Sequence, residues 1–143
     1  MVDKESLADR LKHFSDYIKI LKELKKVNKN SFIQDYHYHG LAERYLQLSI
    51  ECLLDIGSML ILSLDLRKPS HKQEVVDILE EEKIISSIMA TKLSNIASFR
   101  NVLVHEYVKI DREIVYNILK TKIPELESFA KSIVKFLKKK KYI

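Results

Sequence analysis

Glycine, proline and cysteine are scarce in this chain. Its 143 residues include two Gly, two Pro, one Cys and no Trp. A β-rich fold of this size draws on turn residues at every hairpin, so long helices are the expectation. The lone cysteine, Cys52, excludes an internal disulfide and supplies no metal motif. Set in an apolar helical pattern, it reads as a buried free thiol. No uninterrupted apolar run approaches the roughly 20 residues that span a bilayer. Asp3, Glu5 and Asp9 stand where a signal peptide would begin, which argues against one. The expectation is a cytoplasmic protein without membrane contact.

Hydrophobic residues make up 46% of the chain and charged residues 31%, a globular composition rather than a disordered one. The length suits one domain, residues 1–143, with a core of its own. The net charge of +5 permits contact with nucleic acid without demanding it. Part of the excess sits in Lys138, Lys139, Lys140 and Lys141, read as a frayed, solvated helix end.

Apolar spacing divides the chain into helices. Leu7, Leu11, Phe14, Ile18 and Leu21 recur in steps of four and three, one face of a first helix from Leu7 to Val27. Asn28 to Ser31 supplies a break. A second helix from Asp35 or His39 to Leu66 has two apolar faces, so it is buried on more than one side. Gly57 in its middle costs about 1 kcal/mol against Ala, and a close helix–helix approach accounts for it. Pro69 disfavours helix at the residue before it, and Ser70 is a cap for a short helix from His71 to Glu81. Another helix runs from Ser86 or Ser87 to His105. Asp111 caps a last helix to Lys140, kinked at Pro124. The sum is an all-α, up-and-down bundle of four or five helices.

The stretch that carries chemistry is Phe99-Arg100-Asn101-Val102-Leu103-Val104-His105-Glu106-Tyr107. Met89, Leu93, Ile96, Leu103 and Tyr107 form a stripe, and Arg100 fills its gap at a core-type position. A buried guanidinium is expensive unless something negative meets it. The partner is either a carboxylate on another helix, with Asp55 the candidate, or a ligand phosphate. Asn101 and His105 are neighbours one turn apart. Arg100 and His105 lie about 140° apart around an ideal helix, so one helix does not set them side by side. A site built where two copies of the helix meet removes the difficulty. A histidine titrates near neutrality and serves as base or acid. An arginine grips a phosphate and stabilises charge in the transition state. Asn101 is placed to orient His105 or a phosphate oxygen. The set suits attack of a ribose 2′-hydroxyl on the adjacent phosphorus, with no metal or cofactor. His37 and His39, near Asp35, are a weak metal signal. Arg and His at this spacing also arise by chance, and a His near a helix C-terminus is favoured by the helix dipole alone. Spacing leaves the choice open.

The combination Arg-x4-His-x-Tyr, here Arg100, His105 and Tyr107, resembles the signature of the HepT family within the HEPN superfamily. Glu43-Arg44-Tyr45-Leu46-Gln47-Leu48-Ser49-Ile50-Glu51-Cys52-Leu53-Leu54-Asp55-Ile56-Gly57 is similar to the family's long second helix. Ile110-Asp111-Arg112-Glu113-Ile114-Val115-Tyr116 is similar to the start of its last helix. The resemblance runs from about residue 5 to residue 137. It implies an endoribonuclease toxin of a type VII toxin–antitoxin pair, acting as a homodimer with the motifs meeting at the interface. It also implies an MntA-type nucleotidyltransferase antitoxin that transfers AMP to Tyr107. That modification would set phosphate charge beside Arg100 and His105 and block an anionic substrate. The alternatives are a HEPN dimer that binds nucleotide or nucleotidyltransferase without cutting RNA, and a purely structural dimer.

Overall fold

The computed structural model describes residues 3–105 and 110–143, with only the backbone of His105. Helices α1 (Lys4–Lys25), α2 (Lys29–Gln34), α3 (Tyr36–Ser63), α4 (Glu74–Glu81), α5 (Ser87–Lys92), α6 (Ile96–His105) and α7 (Arg112–Lys139) follow one another, with no strand among the described residues. The all-α reading holds. The excess over four or five helices comes from two places, one where a polar residue starts a helix in an expected break and one where polar residues divide an expected helix.

The first is Asn28, whose side chain accepts from the Ser31 amide at 2.9 Å and starts α2 inside the expected break. The second is Ser94-Asn95. The Ser94 hydroxyl donates to the Thr91 carbonyl at 2.7 Å, and Asn95 sits at φ 67°. Short polar side chains compete for backbone groups, and Asn tolerates the left-handed well. The expected single helix from Ser86 to His105 is therefore α5 and α6, and the described part of the stripe, Met89 to Leu103, is divided between them. Asp35, Ser86 and Asp111 cap α3, α5 and α7 through their side chains. Ser70 does not cap α4, which begins three residues later than expected. Gln73 takes the cap position without a side-chain bond, while its amide oxygen lies 3.4 Å from the Ala97 amide at the start of α6.

Helix α3 is the hub, in contact with α1, α2, α4, α6 and α7. By length and composition α3 alone among the described helices would pass for a membrane span, but 56% of its most apolar window is buried inside the chain. That burial is the mark of a core helix. Its two apolar faces hold Leu46, Ile50, Leu53, Leu54, Ile56, Leu60 and Ile61 in the core. Phe14 of α1 meets Phe129 of α7 edge to face at 6.1 Å, and both are fully buried. α7 continues through Pro124 as one helix. A Cβ at Gly57 would run into the Val75 side chain and lie 3.2 Å from Leu79 Cδ1. The glycine thus lets α4 approach α3 closely.

Among the described residues, four segments end on residues with a side chain in the left-handed region: Asp65, Lys83, Asn95 and Lys141. At Lys141 the Tyr142 amide reaches back to the Leu137 carbonyl at 2.8 Å, and the Tyr142 ring packs on Phe136. This satisfies the last carbonyls of the helix, so the basic tail is closed by a cap rather than frayed.

Candidate functional site

Three residues of α6, Ile96, Ala97 and Leu103, are buried, and α6 packs on α3. Arg100 lies on that same side, between Ile96 and Leu103 in the helical period, so its side chain runs along the seam between the helices. The negative group that meets it is Glu51, not Asp55. Arg100 Nε and Nη2 both donate to Glu51 Oε1, at 3.0 and 2.7 Å. Asp55 lies one turn further along α3, and Glu51 is the carboxylate within reach.

The pair sits inside a wider chain of polar groups. Gln47 Nε2 donates to the same Glu51 oxygen at 3.1 Å, and Arg100 Nη1 donates to Asn101 Oδ1 at 3.2 Å. Burial favours the neutral form of Glu51. Hydrogen bonds from Gln47 and Arg100, with Coulomb attraction to Arg100 and Arg44, outweigh it and hold the carboxyl below its ordinary value. A guanidinium has five N–H groups in a fixed fork. Three are engaged here, which leaves one on each terminal nitrogen uncommitted among the described residues. Arg100 is part of the wall of a cavity of about 270 Å³ lined by Glu51, Leu54, Asp55, Lys72, Ala97, Arg100 and Asn101. Lys72, from the loop before α4, adds a second cation to that wall.

Asn101 thus orients Arg100. Its expected role toward the His105 side chain lies outside the described residues. The backbone of His105 is the last residue of α6, and Tyr107 lies outside the described residues. The helix is regular from Arg100 to His105, so the two positions keep the angular separation expected from their spacing. Sequence reasoning passed over Gln47, Glu51 and Lys72. The available signal was Gln47 and Glu51 one turn apart on a helix with two apolar faces.

Other expectations resolve simply. Burial, with the Asp55 charge second, pushes the Cys52 thiol up to about 11, and its Sγ donates to the Arg10 carbonyl. A thiol so protonated is no nucleophile at neutral pH. His37 pairs with Asp35 at 2.8 Å, and His39 with Glu43 at 3.2 Å. No three His, Cys, Asp or Glu gather at metal-ligand spacing among the described residues.

Fold and site together define an all-α protein that presents one arginine, braced by a carboxylate, to an open cavity of mixed polar and apolar lining. The family model for ribonuclease HepT-like proteins matches residues 14–133. The chain belongs to the ribonuclease HepT-like family. It is 30% identical over 95 residues to YutE of Bacillus subtilis, a match spanning 66% of each chain. It is 23% identical over 131 residues to the tRNA nuclease HepT of Aphanizomenon flos-aquae, covering 92% of this chain and 89% of that one. In structure it resembles an AMPylated HEPN toxin of Shewanella oneidensis solved in complex with its MNT antitoxin. There the TM-score is 0.82 at 20% identity, covering 93% of this chain and 98% of that one.

Proposed function

We propose that this chain is a metal-independent endoribonuclease, the toxin of a toxin–antitoxin pair, with Arg100 and His105 as its catalytic residues and Asn101 supporting them. The observation that carries this reading is the Arg100 guanidinium, with two N–H groups uncommitted on a cavity wall, in a chain whose relatives include named RNA nucleases. A phosphate oxygen pair matches the geometry of such a fork. The 2′-hydroxyl gives its proton to a base and its oxygen attacks phosphorus. The 5′-oxygen leaves with a proton from an acid, and a 2′,3′-cyclic phosphate remains. His105 supplies one of these proton transfers, and Arg100 stabilises the charge that builds on the phosphoryl oxygens.

The working unit is a homodimer. Arg100 and His105 are five positions apart on a regular helix, so a second copy brings a histidine to the arginine across the shared cleft. The antitoxin is an MntA-type nucleotidyltransferase that places AMP on Tyr107, adding phosphate charge that competes with RNA for Arg100. Structural relatives solved as toxin–antitoxin complexes support this partner. The protein works in the cytoplasm, as befits its likeness in fold to YutE, solved as a cytosolic protein.

Incubation of the purified protein with RNA in EDTA tests the activity. Cleavage by wild type and none by His105→Ala is expected. Equal cleavage by both would trace the activity to a contaminant. Co-expression with the antitoxin tests the regulation: Tyr107→Phe is expected to stay toxic, and continued neutralisation would remove Tyr107 from that role.

A further inference from the structure

We propose that Glu51, braced by Gln47, is a positioning residue for Arg100, holding the guanidinium so that its two uncommitted N–H groups meet the scissile phosphate. The proposal rests on the ribonuclease reading above and adds residues from outside the sequence motif.

Four observations carry it. Glu51 Oε1 collects three donors, from Gln47 Nε2, Arg100 Nε and Arg100 Nη2, at 3.1, 3.0 and 2.7 Å. Two bonds from one guanidinium edge to a single oxygen fix the plane of the group as well as its place. Gln47, one turn away on α3, holds that oxygen from the other side. Finally, Glu51, Arg100 and Asn101 share the cavity wall, so the bracing sits at the site itself. An unbraced arginine would sample several rotamers, and a loose phosphate grip reduces the fraction of encounters that react.

The carboxylate has a second effect of opposite sign on binding. It lies in contact with the guanidinium and offsets part of its charge. It therefore weakens the grip on the ground-state phosphate while it sharpens the geometry. Removing the charge and keeping the shape separates the two effects, because binding and turnover then move in opposite directions. A residue that only stabilises the fold moves neither in this way.

The test compares Glu51→Gln, Glu51→Asp and Gln47→Ala with wild type, using cleavage kinetics and binding to an RNA carrying 2′-deoxy sugars, which cannot be cut. Glu51→Gln is expected to bind the blocked RNA about three- to tenfold more tightly at low salt, since an opposing charge is gone. Its kcat is expected to fall about tenfold or more through lost alignment. Glu51→Asp keeps the charge but withdraws it by one methylene, so kcat falls while binding stays at the wild-type level. Gln47→Ala is expected to lower kcat by about two- to threefold with KM unchanged, the loss of one hydrogen bond to a charged group that stays paired. Melting curves confirm that each variant is folded. If wild type cuts RNA and folded Glu51→Gln keeps wild-type kcat and KM, the positioning role is overturned and the ribonuclease reading stands. If wild type neither cuts nor binds RNA, both fall together.

Discussion

Two arginines of this chain hold glutamates across element boundaries, and they do it differently. Arg67, in the loop after α3, donates Nε and Nη2 to the two oxygens of Glu81 at 3.0 and 2.8 Å, and Nη1 to Glu74 at 2.7 Å. Each terminal nitrogen faces a full carboxylate, and two negative charges surround one positive. Hydrogen bonds from Arg67 hold both carboxyls below their ordinary value. Arg100 has one carboxylate, uses only one of its oxygens, and gives its third bond to a neutral amide. The first arrangement leaves a guanidinium no electrostatic appetite for an anion. The second leaves its charge merely balanced; both guanidinia engage three of their five N–H groups, so the difference lies in the charge around them. Arginine content alone therefore says little about where phosphate binds; what decides is the charge and geometry already spent around each one.

The largest effect that would break this contrast is on activity. Arg100→Ala is expected to lower RNA cleavage by about a hundredfold to a thousandfold, the loss seen when a transition-state donor is removed, while Arg67→Ala leaves kcat and KM unchanged. Comparable losses from both would show that the two clusters are not functionally distinct. Next in size is a stability effect at the seam between α3 and α4. Gly57→Leu forces a side chain into Val75 and Leu79 and is expected to cost about 2–3 kcal/mol by overpacking, read as a lowered denaturation midpoint. Arg67→Ala, at an exposed network, lowers Tm only slightly.

The pH dependence sharpens the contrast further. Glu51 has a lowered carboxyl pKa in the folded chain. Its contribution to stability is therefore fully present above the ordinary value of 4.5 and is lost as the pH falls through the lower folded value. Wild type should lose more stability than Glu51→Gln between pH 5.5 and pH 3, read by denaturant titration at each pH. Equal losses would mean that the ion pair adds nothing to the fold. The smallest effect is at the other glycine. A Cβ at Gly40 meets nothing within 4 Å, so Gly40→Ala is expected to stabilise by up to about 1 kcal/mol without a change in RNA cleavage.

Much of this was legible in the sequence because it rests on periodicity and caps. The apolar faces of α1 and α3 follow from steps of three and four, and Asp111 marks the start of α7. Gly57 announced a close approach before the partner helix was known. The short helix α2 after Asn28 and the break at Asn95 were less legible. At Asn28 a single side-chain bond starts a helix that no apolar stripe marks, and at Ser94 one competes with a helix that the apolar pattern still supports. The site divides in the same way. Arg100 stood out because a charge at a core-type position demands a partner. Which carboxylate answers it depends on how α6 sits against α3, and that is a matter of tertiary packing. Glu51 and Asp55 are one turn apart on α3 and similar in chemistry, so pattern alone could not choose between them.

The left-handed residues that close helical segments at Asp65, Lys83, Asn95 and Lys141 are all exposed, and none lines the Arg100 cavity. Each holds a backbone conformation that a glycine adopts without strain. The chain thus carries a reserve of thermal robustness in positions outside the cavity wall, and an engineer could draw on it to offset harmful changes made at the cleft.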